Sequence, residues 1–200
     1  MTSGEFKDSF LDYFKGKLKP RLLAEDFWTK AFFAPGINLE IDNDFSNSLS
    51  KAVDLLAADL ITEKYPSNVE VEGNWSSWST QQRCLLLEKL ITHYSEKKEG
   101  EKSLSEMLLR LDAVFHLSEC TNAEIKFRWH TLCLQSHADF IVPHTVNFLS
   151  EQGRMKYVRP LYRLLVKVDP ETAKKTFREN ENAYHPIARK MIDVDLRKCS

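Results

Sequence analysis

The sequence predicts an all-α fold, a two-layer stack of antiparallel helices, and three observations predict it. Apolar residues recur at three- and four-residue steps along most of the chain. Leu alone numbers 25 against 18 for Val and Ile together, while Gly and Pro supply only 6 and 7 of 200 residues, a balance that favours helices over strands. Three S/T-x-x-E/Q pairs, Ser79 with Gln82, Ser103 with Glu106 and Thr121 with Glu124, each precede an apolar-periodic run. Such capping boxes mark helix starts, and their comparable spacing suggests a repeating helical hairpin.

The elements follow in order. Phe6, Phe10, Tyr13 and Phe14 give a first amphipathic helix that the stretch from Gly16 to Pro20 ends. A short helix runs from about Asp26, its N-cap, to Phe33, where Ala34-Pro35-Gly36 stops it. Residues 37–46 read as an extended connection holding the only candidate strand, 37–41. Leu49, Val53, Leu56, Leu60 and Ile61 share one face of a helix from Asn47 to about Lys64, closed by Tyr65-Pro66. The capping boxes then open helices over about 80–97, 104–117 and 122–136, with the charge run 96–102 as a solvated loop between the first two. A helix over 139–152 carries Pro143 in its early turns and Gly153 as its C′ residue. Another spans about 156–168. Asp169-Pro170-Glu171 opens a helix to about Asn180, and His185-Pro186 introduces the last, to about Arg197. No exact repeat of tetratricopeptide or ankyrin length is visible, which leaves a degenerate HEAT- or armadillo-like stack.

Composition narrows the function classes. The formal charge is −1, but residues 151–200 hold 12 Lys/Arg against 7 Asp/Glu, so the C-terminal quarter is basic and can hold a local anion site. Arg159, Arg163 and Lys167 form an i, i+4 basic row there, without the aromatic stacking residues of a nucleic-acid module. Neither nucleic acid nor membrane is an expected partner. Cys84, Cys120, Cys133 and Cys199 show no C-x-x-C spacing, and the charged N-terminus is no signal peptide, so a reducing, cytoplasmic location is expected.

A complete active site is missing. H-E-x-x-H, G-x-S-x-G, a phosphate loop and a dinucleotide fingerprint are all absent. His130, His137 and His144 recur every seven residues, but a helix end at Ser136-His137 separates them, so they read as surface or hydrogen-bonded histidines and no metal site is expected. The four Trp read as buried packing. The segment Gly153-Arg154-Met155-Lys156 is where chemistry sharpens, because Arg154 presents a planar fork suited to a carboxylate and Lys156 adds a second cation. On spacing alone, solvated surface charge remains open there beside an anion site.

Glu124-Ile-Lys-Phe-Arg-Trp129, Leu132-Cys-Leu-Gln-Ser136, Glu151-Gln-Gly-Arg-Met-Lys156 and Arg159-Pro-Leu161 resemble the C-terminal domain of leukotriene A4 hydrolase and its zinc aminopeptidase relatives. Asp12-Tyr-Phe-Lys15 resembles the family's helix after the catalytic domain, and Ala34-Pro-Gly36 and His185-Pro186 its later turns, so nearly the whole chain is covered. The resemblance implies a right-handed superhelical array like armadillo or HEAT repeats. It implies a connecting helix over residues 1–20 and the C-terminal helical domain over 21–200. It further implies that this domain packs against a zinc catalytic domain and an N-terminal domain, closing a cleft in which Arg154, assisted by Lys156, binds the carboxylate of a peptide or of leukotriene A4.

On this reading the zinc and its ligands belong to the catalytic domain. No cofactor or catalytic residue is expected in this chain, which should be inactive alone as a detached C-terminal domain. The rival reading is an independent helical-repeat scaffold that binds a protein partner without catalysis.

Overall fold

The computed structural model describes residues 1–18, 20–35, 47–62, 75–95 and 102–198. The expected extended segment 37–46 and the charge run from 96 to 101 lie outside the described residues. The chain divides into two compact units, Met1–Ser46 and Asn47–Ser200.

In the first unit, α1 (Ser3–Tyr13) starts at a capping box the sequence reading passed over. Thr2 Oγ1 accepts from the Glu5 amide at 3.2 Å, and the Glu5 carboxylate accepts from the Thr2 amide at 2.7 Å. Gly16, at φ 80°, turns the chain after α1 in the left-handed region where a Cβ is strained. Short helices α2 (Pro20–Leu23) and α3 (Glu25–Trp28) follow, and α3 runs into a π turn, Thr29–Phe33, closed by the Ala34 amide on the Thr29 carbonyl at 2.8 Å. Asp26 therefore lies inside α3 and is not its cap. Trp28 is buried and gathers Phe10 and Phe32 at ring distances of 5.7 and 5.0 Å.

The second unit contains α4 (Ser48–Ile61), α5 (Thr80–Ser95), α6 (Lys102–Phe115), α7 (Ala123–Gln135), α8 (Val142–Glu151), α9 (Met155–Val168), α10 (Pro170–Asn180) and α11 (Pro186–Lys198). No strand occurs among the described residues. α4 lies on α5, and from α5 onward packing also joins alternate helices. α5 lies on α7, α7 on α9 and α9 on α11, while α8 lies on α10. Two rows of stacked helices are thus set against each other, and α9 joins them by packing on both α8 and α10. This is how a chain of amphipathic helices buries every stripe without a sheet. α9 carries most, with Tyr157, Val158, Leu161, Tyr162, Leu165 and Val166 all buried.

The four Trp are all buried, as read from sequence, with Trp129 at 0 % exposure and its Nε1 donating to Ser118 Oγ at 3.1 Å. Two helix starts differ from expectation. α6 begins at Lys102, which puts Ser103 inside the helix. α7 is capped by Asn122, whose Oδ1 accepts from the Glu124 amide at 2.9 Å, and not by Thr121. Asn is among the preferred N-cap residues because its side-chain oxygen reaches the second helical amide, and the Glu124 carboxylate is used elsewhere.

Gly153 also departs from its expected role. α8 leaves through Gln152 in extended conformation, and Gly153 is not at positive φ. A Cβ built on it would approach the Ala183 carbonyl at only 4.0 Å, so neither backbone nor space demands glycine there. The left-handed C′ position belongs instead to His137, at φ 51° after α7. Its amide donates to the Leu134 carbonyl at 3.2 Å and the Ala138 amide to the Cys133 carbonyl at 3.0 Å, which is a complete Schellman close.

Candidate functional site

The Arg154 backbone is the N-cap of α9, with its carbonyl accepting from the Tyr157 and Val158 amides at 2.9 and 3.1 Å. That pins the main chain and leaves the side chain outside the helical ladder. The exposed guanidinium lies over the Tyr157 ring, 5.5 Å from its centroid. Lys156 Nζ stands 5.2 Å from the centroid of the same ring. One buried aromatic therefore carries both cations that the sequence singled out.

Their electrostatic situations differ. Lys156 pairs with Glu124 Oε1, which also accepts from the Tyr157 hydroxyl at 2.8 Å. Glu124 Oε2 accepts from Arg128 at 2.8 Å, and Arg128 reaches across to Glu88 at 2.6 Å. Glu124 is thus a hub with three donors. Lys156 first, then Arg128 and Tyr157, hold its carboxyl down at about 2, because each hydrogen bond favours the ionised form. Burial and the neighbouring carboxylate push the Tyr157 hydroxyl the other way, above its ordinary value, so it remains a donor. Arg154 has no carboxylate partner among the described residues. Of the two cations, Arg154 is the one whose charge is not already matched.

The sequence reading found Arg154 and Lys156 and missed Glu124, Arg128, Glu88 and Tyr157. The i, i+4 spacing of Glu124 and Arg128 was an available signal. The links from α7 to Lys156 and to Glu88 span 32 and 40 residues, and no local pattern carries them.

The histidines do not converge. His137 is used as a helix close, and His130 is fully buried with neither ring nitrogen partnered, so it is neither a surface nor a hydrogen-bonded histidine. Burial depresses its pKa to about 3, with Lys126 and His144 adding to the effect, and the ring stays neutral against Phe148 at 5.3 Å. No cluster of metal-ligating side chains occurs among the described residues, and no helix there is long and apolar enough to cross a membrane.

Fold and site define a class: an all-helical, two-row array that presents an exposed arginine at a turn between helices. The family model described as leukotriene A4 hydrolase, C-terminal, matches residues 78–196, and the chain belongs to that family. It is 34% identical over 201 residues to leucine aminopeptidase 2 of Neurospora crassa, covering 98% of this chain and 28% of that protein. The corresponding protein of Ajellomyces capsulatus is 34% identical over 203 residues, at 98% and 30% coverage. The solved native leukotriene A4 hydrolase of Saccharomyces cerevisiae superposes at a TM-score of 0.78 with 24% identity, over 96% of this chain and 32% of that one, a likeness of fold. The chain spans about three tenths of the length of the curated relatives it matches, and is a C-terminal domain of the leukotriene A4 hydrolase and aminopeptidase type.

Proposed function

We propose that this domain closes the active-site cleft of a zinc aminopeptidase and that Arg154 binds the carboxylate of its substrate. The parent enzyme removes N-terminal residues from peptides and is a candidate for leukotriene A4 hydrolysis. Residues 1–20 form the connection from the catalytic domain. On this reading the zinc is held by the catalytic domain, and no step of this chain runs through it.

The observation that carries the reading is the unmatched guanidinium of Arg154, anchored by an N-cap backbone and backed by a buried ring. A planar fork held this way can grip a carboxylate bidentately and fix the far end of a substrate, which aligns the scissile bond. Lys156 has a lesser part. Its charge is shared with Glu124, so it adds attraction and little orientation.

The test is kinetic and uses the full-length enzyme that carries this domain. Arg154→Ala should lower kcat/KM about tenfold to a hundredfold for a peptide with a free C-terminal carboxylate, the loss of one charge-assisted contact. The matching C-terminal amide should be slowed far less, and Lys156→Ala should mainly raise KM. Equal slowing of acid and amide by Arg154→Ala, or none of either, would remove Arg154 from carboxylate recognition.

A further inference from the structure

We propose a second anion site on this domain, at the far end of α9 from Arg154, that takes the phosphate of a small phosphomonoester with an apolar body. A cavity of about 440 Å³ opens between α7, α9 and α11, lined by Phe127, Gln135, Pro160, Arg163, Lys167 and Lys198 among others. That volume lies within the range of small-molecule sites. Arg163 and Lys167 are nine and thirteen residues past Arg154, which at 1.5 Å per residue places them roughly 13 to 20 Å along the helix. This proposal goes beyond the carboxylate reading and does not rest on it.

Two observations carry it. Arg163, Lys167 and Lys198 are exposed, converge on one cavity and have no ion-pair partner among the described residues. The acid lining the same cavity, Asp195, is hydrogen-bonded to Arg159 at 2.6 and 3.3 Å and also feels the charges of Arg163 and Lys198, and one carboxylate among these four cations leaves the concavity positive. Three like charges in one concavity repel one another and are matched by an anion bearing more than one negative charge. A phosphomonoester dianion suits them better than a single carboxylate.

The second observation is the wall formed by Phe127, Pro160 and Leu164, which gives a ring or short chain an apolar surface beside the cations.

The experiment titrates the 200-residue chain with phenyl phosphate in low salt by calorimetry. Saturable one-to-one binding is expected, at least about tenfold tighter than inorganic phosphate. Arg163→Gln and Lys167→Gln, both exposed and checked for unchanged helicity, should each weaken it at least about tenfold, while Arg154→Ala leaves it unchanged. The last comparison separates this site from the carboxylate site, since either can fail without the other. Absence of saturable binding, equal affinity for inorganic phosphate, or insensitivity to Arg163→Gln and Lys167→Gln would overturn the proposal. Capture of the chain by phosphatidic acid vesicles without binding of phenyl phosphate would overturn it too, in favour of a lipid surface.

Discussion

α1 and α9 both carry a stripe of large apolar residues at helical spacing, yet α9 buries six of its residues and α1 buries none. Phe6 and Phe14 stay 39 % and 36 % exposed and Tyr13 81 %. The difference teaches that periodicity reports an apolar face, whereas burial depends on how many neighbours meet that face. α9 has α7, α8, α10 and α11 around it. The α1 stripe meets rings of its own short unit, Phe6 to Trp28 at 6.4 Å and to Phe32 at 5.9 Å. α1 is well capped all the same, and a cap fixes where a helix starts without holding it against anything.

Core truncation gives the sharpest contrast. Trp129→Ala should cost the second unit about 3–5 kcal/mol, read from chemical denaturation, because a fully buried indole leaves a large cavity. Phe10→Ala should cost much less, and a matching loss there would break the comparison.

Hydrogen bonding within the well-packed unit comes next. Tyr184 donates to the Leu149 carbonyl at 2.9 Å and pairs with the Tyr162 hydroxyl at 3.0 Å, which ties α8 to α9. Tyr184→Phe strands both partners in a buried place and should cost about 1–3 kcal/mol by the same measurement.

Acid tests the Glu124 hub. Its folded pKa of about 2 lies below the ordinary 4.5, so its contribution is fully present above about pH 4.5 and is lost as pH falls toward 2. Stability followed between pH 5 and 2 should decline less steeply in Glu124→Gln than in the parent chain. An unchanged slope would mean that other carboxylates dominate the window.

The smallest effect lies in the first unit. Thr2→Ala removes one half of the α1 capping box and should weaken that helix by about 1 kcal/mol. Amide exchange should show residues 5–13 exchanging faster than 123–135 in the parent chain, and faster still in the variant. Protection in α1 equal to that in α7 would erase the distinction between the two regions.

How much was legible follows from range. Helices over 48–61, 80–95, 123–135, 155–168 and 170–180 stood in the sequence because their apolar periods and capping signals are local, as with Asp169 Oδ1 accepting from the Thr172 amide at 2.9 Å. Thr121 was misread because Thr-x-x-Glu matches a box by residue type, while Asn122 next to it supplies the cap and the Glu124 carboxylate turns toward Lys156. Gly153 was misread because glycine ends many helices in the left-handed region, and here His137 holds that conformation after α7 while α8 ends extended. The pair Arg154 and Lys156 was legible as cations after a helix end. That one is matched and the other is not depends on a carboxylate 32 residues away from Lys156, which no window of sequence displays.

The Glu124 hub has a consequence for how this domain can change over generations. Lys156, Arg128 and Tyr157 all donate to one carboxylate, and Arg128 extends the chain of charge to Glu88. A change at position 124 takes an acceptor from three donors at once, leaving only Arg128 with a second one in Glu88, whereas a change at any one donor leaves the other two in place. Selection therefore acts on these residues as a block. In descendants of this chain, positions 88, 124, 128, 156 and 157 should be inherited together or replaced together, while Arg154, tied to the group only through the face of a ring, should vary independently of them.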